Sequence, residues 1–97
     1  MQVTREIDFV GNLTYHIPTI TEWEEFRQLV TAIANELHGT ITQKMESFEV
    51  TIWKVVFGNN TVIDFSIDIW LPMMFTTGPT EKEQYHLEKV VQCVRKI

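Results

Sequence analysis

The stretch Phe48-Glu49-Val50-Thr51-Ile52-Trp53-Lys54-Val55-Val56-Phe57-Gly58-Asn59-Asn60-Thr61-Val62-Ile63-Asp64-Phe65-Ser66-Ile67-Asp68-Ile69-Trp70-Leu71 decides how this chain folds. Two runs rich in β-branched and aromatic residues flank a turn cluster, which is the local signature of a β-hairpin. With Asn59 and Asn60 at the tip, Gly58 opposes Thr61. Val56 then faces Ile63, Lys54 faces Phe65, Ile52 faces Ile67, Val50 faces Ile69, and Phe48 faces Leu71. Side chains alternate along a strand, so these pairs share one face. All of them except Lys54 are apolar, which marks the set as the expected core face. A slip of one residue would move one strand's set out of phase, so burial is expected to hold this register.

The opposite face would carry Glu49, Thr51, Trp53, Val55 and Phe57 beside Val62, Asp64, Ser66, Asp68 and Trp70. It mixes carboxylates with indoles. It is too apolar for a solvated face and too acidic to lie under helices without partners.

Before this hairpin, residues 3–9 alternate as a strand, Gly11-Asn12 signals a turn, and Leu13, Tyr15 and Ile17 alternate as a second strand ended by Pro18. A helix follows at about residues 22–38. Thr21 and Glu24 form its expected capping box, Trp23, Phe26, Val30, Ile33, Ala34 and Leu37 its apolar stripe, and Gly39 its left-handed cap. Thr40 to Glu46 is a weaker, separate strand with Ile41 and Met45 on one side, and a bulge near Ser47 is the alternative. After the hairpin, Pro72 stops the ladder, and Met73-Met74-Phe75 is expected as an apolar loop, tucked under the last helix or shown to a partner. Pro79 and a second capping box, Thr80 with Glu83, open a helix whose stripe is Leu87, Val90, Val91, Val94 and Ile97.

The expected fold is therefore α+β. It is a single domain over residues 1–97, a two-layer sandwich in ββαβββα order. A mostly antiparallel sheet of about five strands carries two helices on one face. A chain of 97 residues buries roughly 60–70% of its unfolded surface, enough for one core without metal or disulfide. One cysteine, Cys93, leaves no intramolecular disulfide and fits a reducing compartment. No apolar run approaches the ~20 residues of a membrane span, and the start Met-Gln-Val-Thr-Arg-Glu has no apolar signal segment. The expectation is a soluble, cytoplasmic protein beginning at its own methionine.

Thirteen acidic against eight basic residues leave a net charge of −5. That argues against a nucleic-acid partner, which needs a basic stripe, and allows a basic protein partner. No phosphate loop or zinc spacing occurs, and no cofactor or metal is expected. Glu83 and His86 have the spacing used in di-metal carboxylate bundles, but such centres need two of these motifs. His16 has no partner at ligand spacing, and His38 is explained by a helix end. Cys93 is expected to be a semi-buried, inert thiol. Asp64 and Asp68 share a face and fit a hard cation or an acid/base pair, yet they lie on an open sheet where catalysis lacks a pocket. Asn12-Leu13-Thr14 and Asn59-Asn60-Thr61 match the glycosylation pattern but are turn sequences.

The first functional expectation is a non-enzymatic protein-binding module occluding a basic partner, in the format of bacterial immunity proteins and phage inhibitors. Glu49, Trp53, Asp64, Asp68 and Trp70 would form its contact face, with Met73, Met74 and Phe75 beside them: aromatic anchors for affinity and carboxylates for steering. The alternatives are a homodimer using the same face, a small-ligand sensor with a pocket lined by Met45, Met73, Met74 and Phe75, and an enzyme.

Overall fold

A computed structural model describes residues 1–7, 13–76 and 81–97. Its elements are β1 (Thr4–Ile7), β2 (Leu13–Ile17), α1 (Trp23–Glu36), β3 (Thr40–Glu46), β4 (Val50–Phe57), β5 (Thr61–Asp68), β6 (Met73–Thr76) and α2 (Glu81–Arg95). The strands form one antiparallel sheet in the order β1-β2-β6-β5-β4-β3. Both helices lie against one face, so the α+β class with helices on one side of an antiparallel sheet holds. The strand count is six rather than five, because Met73-Met74-Phe75 is a strand and not a loop. It closes the gap between the N-terminal hairpin and the central one. Pro72 sits just ahead of it, where a missing N–H is tolerated.

The central hairpin is real but its register is one residue off the expected one. The turn takes three residues, Gly58–Asn60, with Asn60 in the left-handed region (φ 59°), and Phe57 pairs with Thr61. Three-residue loops ending in a left-handed residue are a common hairpin closure, and asparagine tolerates that conformation. The shift leaves Ile63, Phe65 and Ile67 buried as expected but flips β4. Thr51, Trp53, Val55 and Phe57 face the helices, while Ile52 faces away from them. Counting apolar residues favoured the wrong phase, because it weighed Val and Ile equally with Trp and Phe. Burying the two rings removes more apolar area than burying Ile52 and Val56. The observed phase also sets Lys54 directly opposite Asp64, 2.9 Å apart, instead of opposite Phe65.

The core is strung on a row that crosses the whole sheet. Tyr15, Phe75, Phe65 and Trp53 occupy paired positions on β2, β6, β5 and β4. The ring centroids of Tyr15 and Phe75 lie 5.2 Å apart, and those of Phe65 and Phe75 5.6 Å. The edge strands end the row with cations: Arg5 pairs with Tyr15, and Lys44 sits 4.3 Å over the Trp53 ring. Phe26 of α1 meets Trp53 edge-on at 5.8 Å. Tyr15 donates its phenol to Glu88 of α2. Burial and that carboxylate hold the phenol above its ordinary pKa.

Helix ends depart from expectation at several points. Glu22 is the N-cap of α1 and makes no side-chain cap bond, so the Thr21–Glu24 box does not form. The Thr80–Glu83 box and the Gly11-Asn12 turn lie outside the described residues. Leu29 joins the buried stripe of α1, and Ile97 is exposed past the end of α2. At the α1 C-terminus the left-handed residue is His38 (φ 56°) and not Gly39. Gly39 N–H reaches the Ala34 carbonyl at 2.8 Å, a Schellman closure. Gly39 is needed for room: a Cβ there would lie 2.6 Å from Phe57 Cε1 and 2.8 Å from Val55 Cγ1. His38 thus carries the steric cost that glycine avoids. His38→Gly is expected to raise the unfolding free energy by about 1 kcal/mol in urea melts. A drop instead would mean that the imidazole makes a contact worth more than the strain.

Ile41 and Met45 do not share a face, because a register shift between Ile41 and Gln43 separates them. Ile41 packs on the core, whereas Met45, paired with Ile52, lies on the bare side of the sheet.

Candidate functional site

The corrected register redistributes the expected contact face. Trp53 is 4% exposed on the helix side and donates its indole N–H to Glu46 at 3.2 Å, so it is a core residue. Met73 and Phe75 are fully buried in β6. Met74 faces the bare side, between His16 and Ser66. The pocket expected from Met45, Met73, Met74 and Phe75 does not exist as a set, because those side chains fall on opposite faces of the sheet.

The carboxylates are used locally. Asp64 pairs with Lys54. Asp68 Oδ1 accepts the backbone N–H groups of Trp70 (2.8 Å) and Leu71 (2.6 Å), an Asx-type turn. Neither is arranged with the other around a cation, and among the described residues no cluster of three His, Cys, Asp or Glu can hold a metal ion. His16 lies 3.0 Å from Glu6 on the adjacent strand, and the His86 ring stacks on Phe57 at 6.1 Å. Cys93 is buried, which pushes its thiol pKa up, so it lacks the thiolate character of a nucleophile.

What the sheet exposes instead is a tip built from two adjacent turns. Ser47 closes the β3–β4 turn, its hydroxyl donating to the Val50 carbonyl at 2.9 Å and accepting the Val50 N–H at 3.2 Å. The Asp68 turn follows β5, and Ile69 N–H to the Glu49 carbonyl at 3.2 Å ties the two turns together. Phe48 is 91% exposed and Trp70 74%. Ile69, Leu71 and Met45 are each about half exposed beside them. A hollow of about 260 Å³, bordered by Met45, Glu46, Ser47, Val50 and Ile52, opens next to the Phe48 turn.

Of the expected contact residues, the structure brings Glu49, Asp68 and Trp70 to this tip and leaves Asp64 and Met74 on the bare face. Phe48, Ile69 and Leu71 are exposed here and not in the expected core face; Ser47 and Asp68 are the turn-forming residues that mark both bends.

No family model, curated protein or solved structure matches this chain. Hollows also open on the helix side, and two of them border α2. The larger, about 470 Å³, lies between α1 and α2 along Leu37, Cys93 and Ile97, with Lys89, Lys96 and Glu36 at its margins. The other, about 320 Å³, is bordered by His38, Phe57 and His86. No helix among the described residues is long and apolar enough to cross a membrane.

The placement of the three tryptophans has a direct optical consequence. Trp53 is buried, Trp23 is half-buried with its indole N–H on Thr51 Oγ1 at 2.8 Å, and Trp70 is open. At low protein concentration Trp70→Phe is expected to remove most of the fluorescence quenched by iodide and to shift the remaining emission to the blue. Unchanged quenching would place Trp70 under cover.

Proposed function

We propose that this chain is a non-enzymatic protein-binding module whose contact surface is the two-turn tip together with the bare sheet face behind it. The observation that carries this reading is the exposure of Phe48 and Trp70, two large rings on hydrogen-bonded turns that the Ile69 N–H to Glu49 carbonyl bond joins. Aromatic anchors on a rigid frame give large contact area at small entropic cost, and they are enriched among interface hot spots. An exposed apolar patch of this kind, bordered by polar residues, is the sort that marks interaction sites.

A basic partner, occluded as by an inhibitor or immunity protein, is supported by the net charge of −5. The carboxylates of the contact face itself support it less. Asp64 is neutralised by Lys54, Asp68 serves its own turn, and Glu49 alone of the three has no side-chain partner among the described residues.

The test compares the chain with a Phe48→Ser/Trp70→Ser variant whose circular dichroism matches it. Both are used to retain proteins from a cell extract, and both are weighed by light scattering. The reading expects the variant to lose retained partners or self-association. No difference in either measurement sinks it.

A further inference from the structure

Resting on the protein-binding reading above, we infer that the tip's partner is a second copy of this chain, the two joined about a twofold axis with Trp70 of each seated in the other's hollow beside Val50 and Ile52. A twofold interface must be self-complementary, since each patch meets its own image. This surface has both parts: a projecting indole at the β5–β6 turn, and a hollow of about 260 Å³ next to the neighbouring turn, lined by Met45, Val50 and Ile52 with Ser47 and with Glu46, whose carboxylate is held by Arg27 and Trp53. A surface specialised for an unrelated partner needs only one of them.

The charges permit the pairing. Lys54 and Asp64 stand opposite each other on β4 and β5, so an axis passing near them sets the lysine of one copy against the aspartate of the other. The Asp68 carboxylate is already bound by two backbone N–H groups, which leaves Glu49 as the one carboxylate of the expected set to be kept at the rim.

The area is of the right order. At their exposures Phe48 and Trp70 offer roughly 300 Å² of ring surface. Half-exposed Met45, Ile69 and Leu71, with Ile52 behind them, extend the patch, and the bare face continues through Lys54 and Asp64 toward the ~800 Å² per partner of a standard interface.

The experiment is light scattering and analytical ultracentrifugation of the full chain from roughly 1 µM to 1 mM, a range that spans weak to moderate affinities. The expected result is a monomer–dimer equilibrium, weakened about 30-fold or more by Trp70→Ala, the size of effect that defines a hot spot. A benzophenone side chain placed at Trp70 is expected to give a dimer band on photolysis, with the adduct mapped to the Met45–Ile52 segment of the other copy. A monomer throughout the range overturns the inference. So does a dimer that Trp70→Ala leaves unchanged, or an adduct mapping elsewhere. If the chain stays monomeric while the Phe48→Ser/Trp70→Ser variant loses a protein retained from extract, the second-copy assignment fails and the protein-binding reading stands. If that variant also retains everything the parent does, both fail.

Discussion

Trp53→Ala is expected to lower the unfolding free energy by about 3–5 kcal/mol, the range for truncating a buried large aromatic. The indole fills the angle between α1 and the sheet at the β4 end of the aromatic row, with Phe26 edge-on at 5.8 Å, Phe65 opposite on β5 and Lys44 over its outer side at 4.3 Å. Removing it leaves a cavity that a helix and two strands cannot close by side-chain motion alone. Against a total stability of about 5–15 kcal/mol for a domain, this approaches half. The Glu46 carboxylate keeps its Arg27 partner at 3.1 Å, so the loss comes from packing and not from an orphaned charge. Trp53→Phe is accordingly expected to recover most of it. Urea melts at constant slope provide the measurement. A loss under about 1 kcal/mol would return Trp53 to the surface, where a two-residue turn places it.

The same corner has a pH dependence of defined sign. Hydrogen bonds from Arg27, and then from Trp53, hold the Glu46 carboxyl below its ordinary pKa. The contact is therefore fully present above the unfolded-state value and lost as pH falls through the lowered folded value. The tie between β3 and α1 should loosen in acid before the core does.

Helix stripes were legible because each repeats at a single period. Phe26, Val30, Ile33 and Ala34 mark α1, and Leu87, Val90, Val91 and Val94 mark α2, whatever their neighbours do. The hairpin was legible as a hairpin for the same reason. Its faces were not, because β4 is apolar on both: Val50, Ile52 and Val56 alternate with Trp53, Val55 and Phe57, and hydrophobic count cannot choose between them. The choice lies in turn geometry and cross-strand partners, in Asn60 adopting the left-handed conformation and Lys54 meeting Asp64. Met73 to Thr76 was missed as a strand because four residues after a proline give too short a pattern; its partners on β2 lie far away in sequence. The candidate tip followed from these errors. Once β4 flips, Trp53 leaves the contact face, the ladder ends at the Val50–Asp68 pair, and Phe48 and Trp70 are carried beyond it.

Phe65→Ala tests the register from the other strand, with an expected loss of about 3–5 kcal/mol. Phe65 is fully buried at the middle of the row, opposite Trp53 on one side and Phe75 on the other, so truncation interrupts contacts on both neighbouring strands. Either register buries Phe65, and the discriminating partner is therefore Ile52. In the observed pairing Ile52 lies opposite Ser66 on the bare face and is only half-buried, so Ile52→Ala should cost under about 1 kcal/mol. In the alternative pairing it faces Ile67 in the core and would cost about 2–5 kcal/mol. A large loss at Phe65 with a small one at Ile52 is the pattern that only the three-residue turn produces. Large losses at both would restore the two-residue turn, and with it Trp53 to the open face.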